Sequence, residues 1–305
     1  MKRLFRNIII FLLIYVIVHI LVICICGYYV TFYRIGSNGH MYSRIKEIEK
    51  YNNPDILFLG SSLCYRGFDT REFQKHGIKS FNLGSSSQTP KQTEILLKRY
   101  LDKINPNFIV FEISPMVFLE DGIESTTDLL SNDHIDSEII KLAIESGNIK
   151  VFNTLMYALF QEYICGIRDY FVEDVAKDGD SYVSGGFVER VEYSPFDKKS
   201  GTNPIVNHDV RHDQIEAFEH CLKIIRSKNI PYILVSAPLP ESTYSQVNYK
   251  EFGNLVSTCG KYIDFNEYLH LNDTCFYDYS HLSQPGVVVF DNCLIQMLDT
   301  INLSK

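Results

Sequence analysis

A basic tract is what this chain most clearly lacks. Its 29 Lys+Arg stand against 37 Asp+Glu, for a net charge of −8. Lys2, Arg3 and Arg6 are the only charged side chains in the first thirty residues, so the body is more acidic still. An acidic body is a poor electrostatic partner for a phosphate backbone, and nucleic acid is not an expected partner. C-x-x-C pairs are also missing, and with them the zinc-ribbon and thioredoxin patterns. No internal repeat or low-complexity tract occurs. What is present is globular in composition. The 305 residues are 46% hydrophobic, 22% charged and 13% aromatic, room for a sizeable core in one large domain or two small ones.

The apolar run Ile8 to Val30 carries no formal charge unless His19 is protonated. At 1.5 Å per residue, about 23 helical residues reach about 34 Å, enough for a hydrocarbon core of about 30 Å. The run is too long for a cleaved signal peptide, and no A-x-A-like site follows it. Leu21-Val22-Ile23-Cys24 is a poor lipoprotein box because Ile23 is bulky. The expectation is an uncleaved signal anchor over 8–30. Lys2, Arg3 and Arg6 favour the cytoplasmic side, with residues 1–7 inside and the body extracytoplasmic. Residues 31–53 are expected as a membrane-proximal stalk. Cys24 and Cys26 fall in the span. Cys64, Cys165, Cys221, Cys259, Cys275 and Cys293 fall in the body, where disulfides and buried free thiols are equally open readings.

From residue 54 to 305 the pattern alternates. Strands are predicted at 55–59, 80–83, 108–113, 232–236 and 261–265, and helices at 91–101, 212–228 and 286–301. Alternation of this kind predicts a three-layer α/β domain around a central parallel sheet. Between about 119 and 208 it is lost. Helical stretches at 136–146 and 151–166 precede a Gly/Ser/Asp-rich run from Lys177 to Asn207. This reads as an insertion on the α/β domain that helps to wall the site.

Two motifs point to chemistry. Leu57-Phe58-Leu59-Gly60-Ser61-Ser62 ends a buried strand in a hydroxyl at the carboxyl edge of the sheet, where open α/β sheets bind ligands. A helix-capping serine explains Ser61 or Ser62 equally well when the motif is taken alone. Asp278-Tyr279-Ser280-His281 precedes the last helix, and a turn of that length lets a carboxylate hold Nδ1–H while Nε2 faces a serine. A surface D-x-x-H has no role by itself. The two together point to a Ser–His–Asp hydrolytic site.

These blocks resemble the SGNH/GDSL hydrolase superfamily, and the membrane-anchored layout resembles its extracytoplasmic branches that act on cell-envelope glycans. The resemblance covers about 54–115 and 230–300 and implies an SGNH-hydrolase-like (flavodoxin-like) fold. It assigns Ser62 as nucleophile, with Ser61 where Asp is usual, and Asp278 and His281 as acid and base of the triad. Phe81 to Thr89 is similar to the second block and places Ser87 at the oxyanion-donor position, with Gly84 as the alternative. The Ser62 N–H is the other donor. Phe111-Glu112-Ile113-Ser114-Pro115 stands where the family has G-x-N-D. The Asn is missing, and Ser114 is the candidate replacement. Divergent members, the D-alanyl-lipoteichoic-acid transfer and alginate O-acetylation proteins, depart in the same way, so acyl transfer is as open as hydrolysis.

The resemblance thus implies an esterase or O-acyltransferase acting on acyl, chiefly acetyl, esters of a surface glycan, alongside envelope-polysaccharide machinery. It implies no metal or organic cofactor. A non-catalytic glycan-binding or scaffold component is the alternative. Arg66 and Arg71 could clamp a substrate or be structural. His208 and His212, beside Asp209 and Asp213, lack the further ligands a metal needs. Cys64 reads as packing. Tyr157, Phe160, Tyr163, Tyr170 and Phe171 could stack on sugars, but helical core packing explains them.

Overall fold

The computed structural model describes residues 1–36, 39–193 and 210–300. The chain divides into two compact units, Met1–Ser37 with Thr126–Val172, and Asn38–Ser125 with Glu173–Lys305. The second unit contains all eight strands found among the described residues. They are β1 (Ile56–Leu59), β2 (Ser80–Asn82), β3 (Phe108–Glu112), β4 (Ala176–Lys177), β5 (Asp180–Val183), β6 (Phe187–Arg190), β7 (Tyr232–Ser236) and β8 (Tyr262–Asp264).

Five of these strands form one all-parallel sheet in the order β2-β1-β3-β7-β8. Among the five, that is the 2-1-3-4-5 order of a doubly wound sheet. Alternate side chains point to opposite faces. Ile56, Phe58, Phe108, Val110, Ile233 and Val235 belong to a core completed by Phe68, Phe73 and the helix Gln284–Thr300, through Val287, Phe290 and Leu294. On the opposite face, Phe111 meets Phe218 of the helix His212–Ser227, which packs against the helix Pro90–Ile104. Burial on both faces explains why these strands are continuous apolar runs. The result is the three-layer α/β arrangement expected.

Three expectations are corrected. The stretch expected as a stalk includes the helix Met41–Ile48, whose Met41, Tyr42, Ile45 and Ile48 are buried in the second unit. No strand is predicted from the sequence in the Gly/Ser/Asp-rich run that begins at Lys177. β4, β5 and β6 make a small antiparallel sheet, too short and too polar to register as strands in the sequence. The region 119–208 is not a single insertion either, because 126–172 groups with the N-terminal residues while the rest stays with the parallel sheet. Residues 194–209, including His208 and Asp209, lie outside those described.

In the first unit, the helix Lys2–Val30 dominates, and its stretch Lys2–Gly27 has a mean hydropathy of 3.4 over its most apolar window. It is long and apolar enough to cross a membrane. The helices Ser137–Glu145 and Ile149–Phe160 follow the expected positions closely.

Arg44 ties the added helix to the sheet edge. It is fully buried, donates from Nε and Nη2 to the Gly186 carbonyl (3.0 and 2.8 Å), and donates from Nη2 to the Gly39 carbonyl (2.9 Å). Gly186 has φ +95°, and a Cβ there would fall 2.1 Å from the Asn82 carbonyl oxygen, so only glycine fits. Removing a cation that serves two buried carbonyls leaves both unsatisfied. Arg44→Met is therefore expected to lower stability by roughly 2–4 kcal/mol, read as a shifted denaturation midpoint, and Arg44→Lys should restore only part of it.

Candidate active site

The carboxyl ends of β1, β2 and β3 meet at one sheet edge, beside the point where strand order reverses. β1 ends at Gly60, whose φ of +148° places it where a side chain is strained. A Cβ there would also fall 2.6 Å from Glu112 Oε2. The chain then turns into the short helix Ser62–Tyr65. Ser61 caps that helix by accepting the Leu63 N–H at 3.2 Å. The capping role therefore belongs to Ser61, and Ser62 is left with its hydroxyl facing a pocket of about 540 Å³.

The Asp278–His281 loop reaches the same pocket. An isolated bridge between Phe276 and Leu282, together with the Tyr277 N–H donating to the His281 carbonyl at 3.1 Å, closes the loop. Asp278 Oδ1 accepts the Ser280 and His281 N–H groups at 2.8 and 2.7 Å, a side chain turning its own backbone. Its Oδ2 lies 2.8 Å from His281 Nδ1. His281 Nε2 lies 2.8 Å from Ser62 Oγ. Burial raises the Asp278 carboxyl, but the His281 hydrogen bond and charge and the two N–H groups outweigh it, so the group sits below the usual carboxylate range. Tyr277 stacks on the imidazole, with ring centroids 5.5 Å apart and planes 11° from parallel. The arrangement can withdraw a proton from a serine hydroxyl and keep the resulting imidazolium paired.

Of the expected oxyanion donors, Ser62 and Ser87 both line the pocket, and neither N–H has a hydrogen-bond partner among the described residues. Ser87 adopts a left-handed backbone at φ +47°. Gly84 is corrected. Its N–H donates to Asn82 Oδ1 at 3.1 Å, and its small size serves close packing, since a Cβ would meet the Ser61 carbonyl oxygen at 2.9 Å. Ser114, at the end of β3, is buried and lines the pocket.

Arg66 lines the pocket too, and it is held by neighbours rather than standing alone there. Its guanidinium is held by both oxygens of Asp180 in β5, at 2.9 and 2.7 Å, and lies against the rings of Tyr65 and Tyr277. Arg190 of β6 joins the same carboxylate at 3.1 Å. Arg71 pairs with Asp69 and Glu189 and does not line the pocket. Cys64 is fully buried, donates its thiol hydrogen to Asn82 Oδ1 at 3.1 Å, and is pushed well up by burial, so it packs rather than reacts. Among the described residues no cluster suited to a metal occurs.

Glu112 was missed as a site residue, although a carboxylate inside the apolar strand Phe108–Glu112 was a visible signal. Its Oε2 accepts both the Ser61 N–H and the Ser61 hydroxyl at 3.0 Å, fixing the turn that presents Ser62. Its Oε1 is buried without a hydrogen-bond partner among the described residues. Burial pushes this carboxyl up to about 7, against the opposing pull of the two Ser61 donors.

Protein-family models and curated proteins give no match to the chain. Among solved structures it is similar to a GDSL-like lipase from Bacteroides thetaiotaomicron, at 9% identity and a TM-score of 0.43, covering 87% of this chain and 100% of that one. It is also similar to a family 3 carbohydrate esterase from Clostridium thermocellum, at 11% identity and a TM-score of 0.38, covering 82% and 99%.

The raised Glu112 carboxyl has a signed consequence. Below its ordinary value of 4.5 it is neutral in both the folded and the unfolded chain. Between about 4.5 and about 7 the unfolded chain is ionised while the folded one stays neutral, so stability falls across that window, by on the order of 3 kcal/mol in all. Glu112→Gln should match the parent near pH 4.5 and exceed it above pH 7, measured as denaturation midpoints across pH.

Proposed function

We propose that this chain is a serine-dependent ester hydrolase or acyltransferase. The carrying observation is the continuous set of hydrogen bonds from Asp278 through His281 to Ser62 at the wall of the pocket. Ser62 Oγ attacks the ester carbonyl as its proton moves to His281 Nε2. Asp278 keeps Nδ1 protonated and stabilises the imidazolium. The Ser62 and Ser87 N–H groups hold the oxyanion of the tetrahedral intermediate. His281 then returns the proton to the departing alcohol, leaving an acyl-serine. Water or a sugar hydroxyl gives up a proton to the same Nε2 and attacks the acyl carbonyl; the bond to Ser62 Oγ then breaks as Nε2 returns that proton to Oγ.

The substrate is an acyl ester, chiefly acetyl, of a surface glycan. Ser86, Ser87, Thr243 and Glu124 line the pocket beside the apolar Met116, Val117 and Leu239, a mixed wall that supports a short acyl group carried on a polyol. The N-terminal helix, read as a span with Lys2, Arg3 and Arg6 inside, puts the pocket outside the cytoplasm, where such a glycan and its assembly machinery are found.

A fluorophosphonate should add once to the full chain, detected by intact mass, and not at all to Ser62→Ala. Asp278→Asn should slow labelling on the order of 10³–10⁴-fold by favouring the wrong imidazole tautomer. A folded parent that takes no label supports the glycan-binding or scaffold alternative instead.

A further inference from the structure

The unit formed by Met1–Ser37 and Thr126–Val172 leaves an apolar face uncovered. Its helix Ile149–Phe160 packs on the second half of the long N-terminal helix. Tyr157 lies so close over Gly27 that a methyl group there would fall 2.5 Å from its ring. Asn153 Oδ1 lies 3.2 Å from His19 Nε2, and its Nδ2 donates to the Val30 carbonyl at 3.0 Å. Past Phe160 the helix widens into a π turn, Gln161–Cys165, followed by the short helix Ile167–Tyr170.

This segment points its large side chains away from the protein. Ile164 is 73% exposed, Tyr170 84% and Val172 85%, with Tyr163 and Ile167 exposed beside them. Thr154 Oγ1 accepts the Phe32 N–H at 2.8 Å while Tyr157 lies over Gly27, so the helix Ile149–Phe160 runs back along the long helix. Gln161 follows Tyr157 by four residues, about one helical turn, and Gly27 is where the membrane-length apolar stretch ends. The exposed face therefore sits about one turn inside the end of that stretch. On the long helix Leu21 and Ile25 are exposed as well, and Tyr29 and Phe32 stand exposed just beyond.

We propose that Gln161–Val172 is a second membrane contact, seated in the leaflet at the C-terminal end of the span. Ile164, Ile167 and Val172 enter the headgroup–acyl boundary, as in helices that lie in a bilayer surface. Tyr163 and Tyr170 sit at the headgroups, where amphipathic rings are enriched. The occupant is lipid because the face shares its depth and its apolar surface with the span. The proposal rests on reading the N-terminal helix as a span. A lone helix leaves its attached unit free to swing, whereas a second contact fixes its tilt.

The chain contains no tryptophan, so a single introduced one reports without background. Ile164→Trp, with Tyr170→Trp as a second variant should the first misfold, is reconstituted as the full chain in phosphatidylcholine/phosphatidylglycerol vesicles. Leu21→Trp serves as the span control. The proposal expects blue-shifted emission that is lost in vesicles whose acyl chains are brominated near the headgroup and that iodide leaves intact. Quenching of Leu21→Trp, with red-shifted, iodide-sensitive emission from Ile164→Trp and Tyr170→Trp, overturns the proposal while the span stands. Blue-shifted emission that bromine does not quench also overturns it, since a second copy or another protein then covers the face. If Leu21→Trp itself escapes bromine, the span reading fails and the proposal with it.

Discussion

β1 is hydrogen-bonded on both sides, to β2 and to β3, and this pairing is the constraint on which the pocket depends. Because all three strands run parallel, their carboxyl ends arrive at one edge. Strand order reverses there, so the connections leaving β1 and β3 part and a crevice opens. Ser62, Ser87 and Ser114 reach that crevice from three separate places in the sequence. The loop before the last helix closes the crevice from the far end of the chain, and its position follows from the packing of Val287, Phe290 and Leu294 on the same sheet.

Next to this crevice the buried polar groups act in pairs. Asn82 donates to the Cys64 and Phe68 carbonyls and accepts from Gly84 and Cys64, stitching the turn after β2 to the helix that begins at Ser62. Glu112 holds that helix from the other side, through Ser61. The wall behind His281 is likewise paired, with Tyr277 lying between the imidazole and Arg66, whose charge Asp180 balances. Each replacement of an expected residue is local: a carboxylate stands at 112 and a hydroxyl at 114, while the backbone path is that of an ordinary doubly wound sheet.

The parallel sheet was legible because its strands are buried on both faces and read as unbroken apolar runs such as Ile56–Leu59 and Phe108–Val110. Ser62, Asp278 and His281 were legible because their spacing to those runs fixes where they end up. The rest depended on information a motif does not hold. Gly84 and Ser87 are equally good donors on paper, and only the side chain of Asn82, reaching back two residues, separates them. The role of Arg66 stayed open in the sequence because its partner Asp180 lies far along the chain, among strands of only two to four residues. The helix Met41–Ile48 looked solvated because a buried arginine reads as a surface one until the Gly186 and Gly39 carbonyls appear around it.

The flat stacking of Tyr277 on His281 sets a limit on the order of events. An imidazole pinned by a ring on its face and a carboxylate on Nδ1 cannot swing between two positions, so the same Nε2 must serve the group that leaves and the group that arrives. On the proposed chemistry both must stand at one place, and they cannot do so together. Donor and acceptor then take turns, with the enzyme acylated in between. The departing alcohol and the incoming nucleophile become rivals for a single berth. On that chemistry water and a sugar hydroxyl compete for the acyl group only once the first alcohol has left.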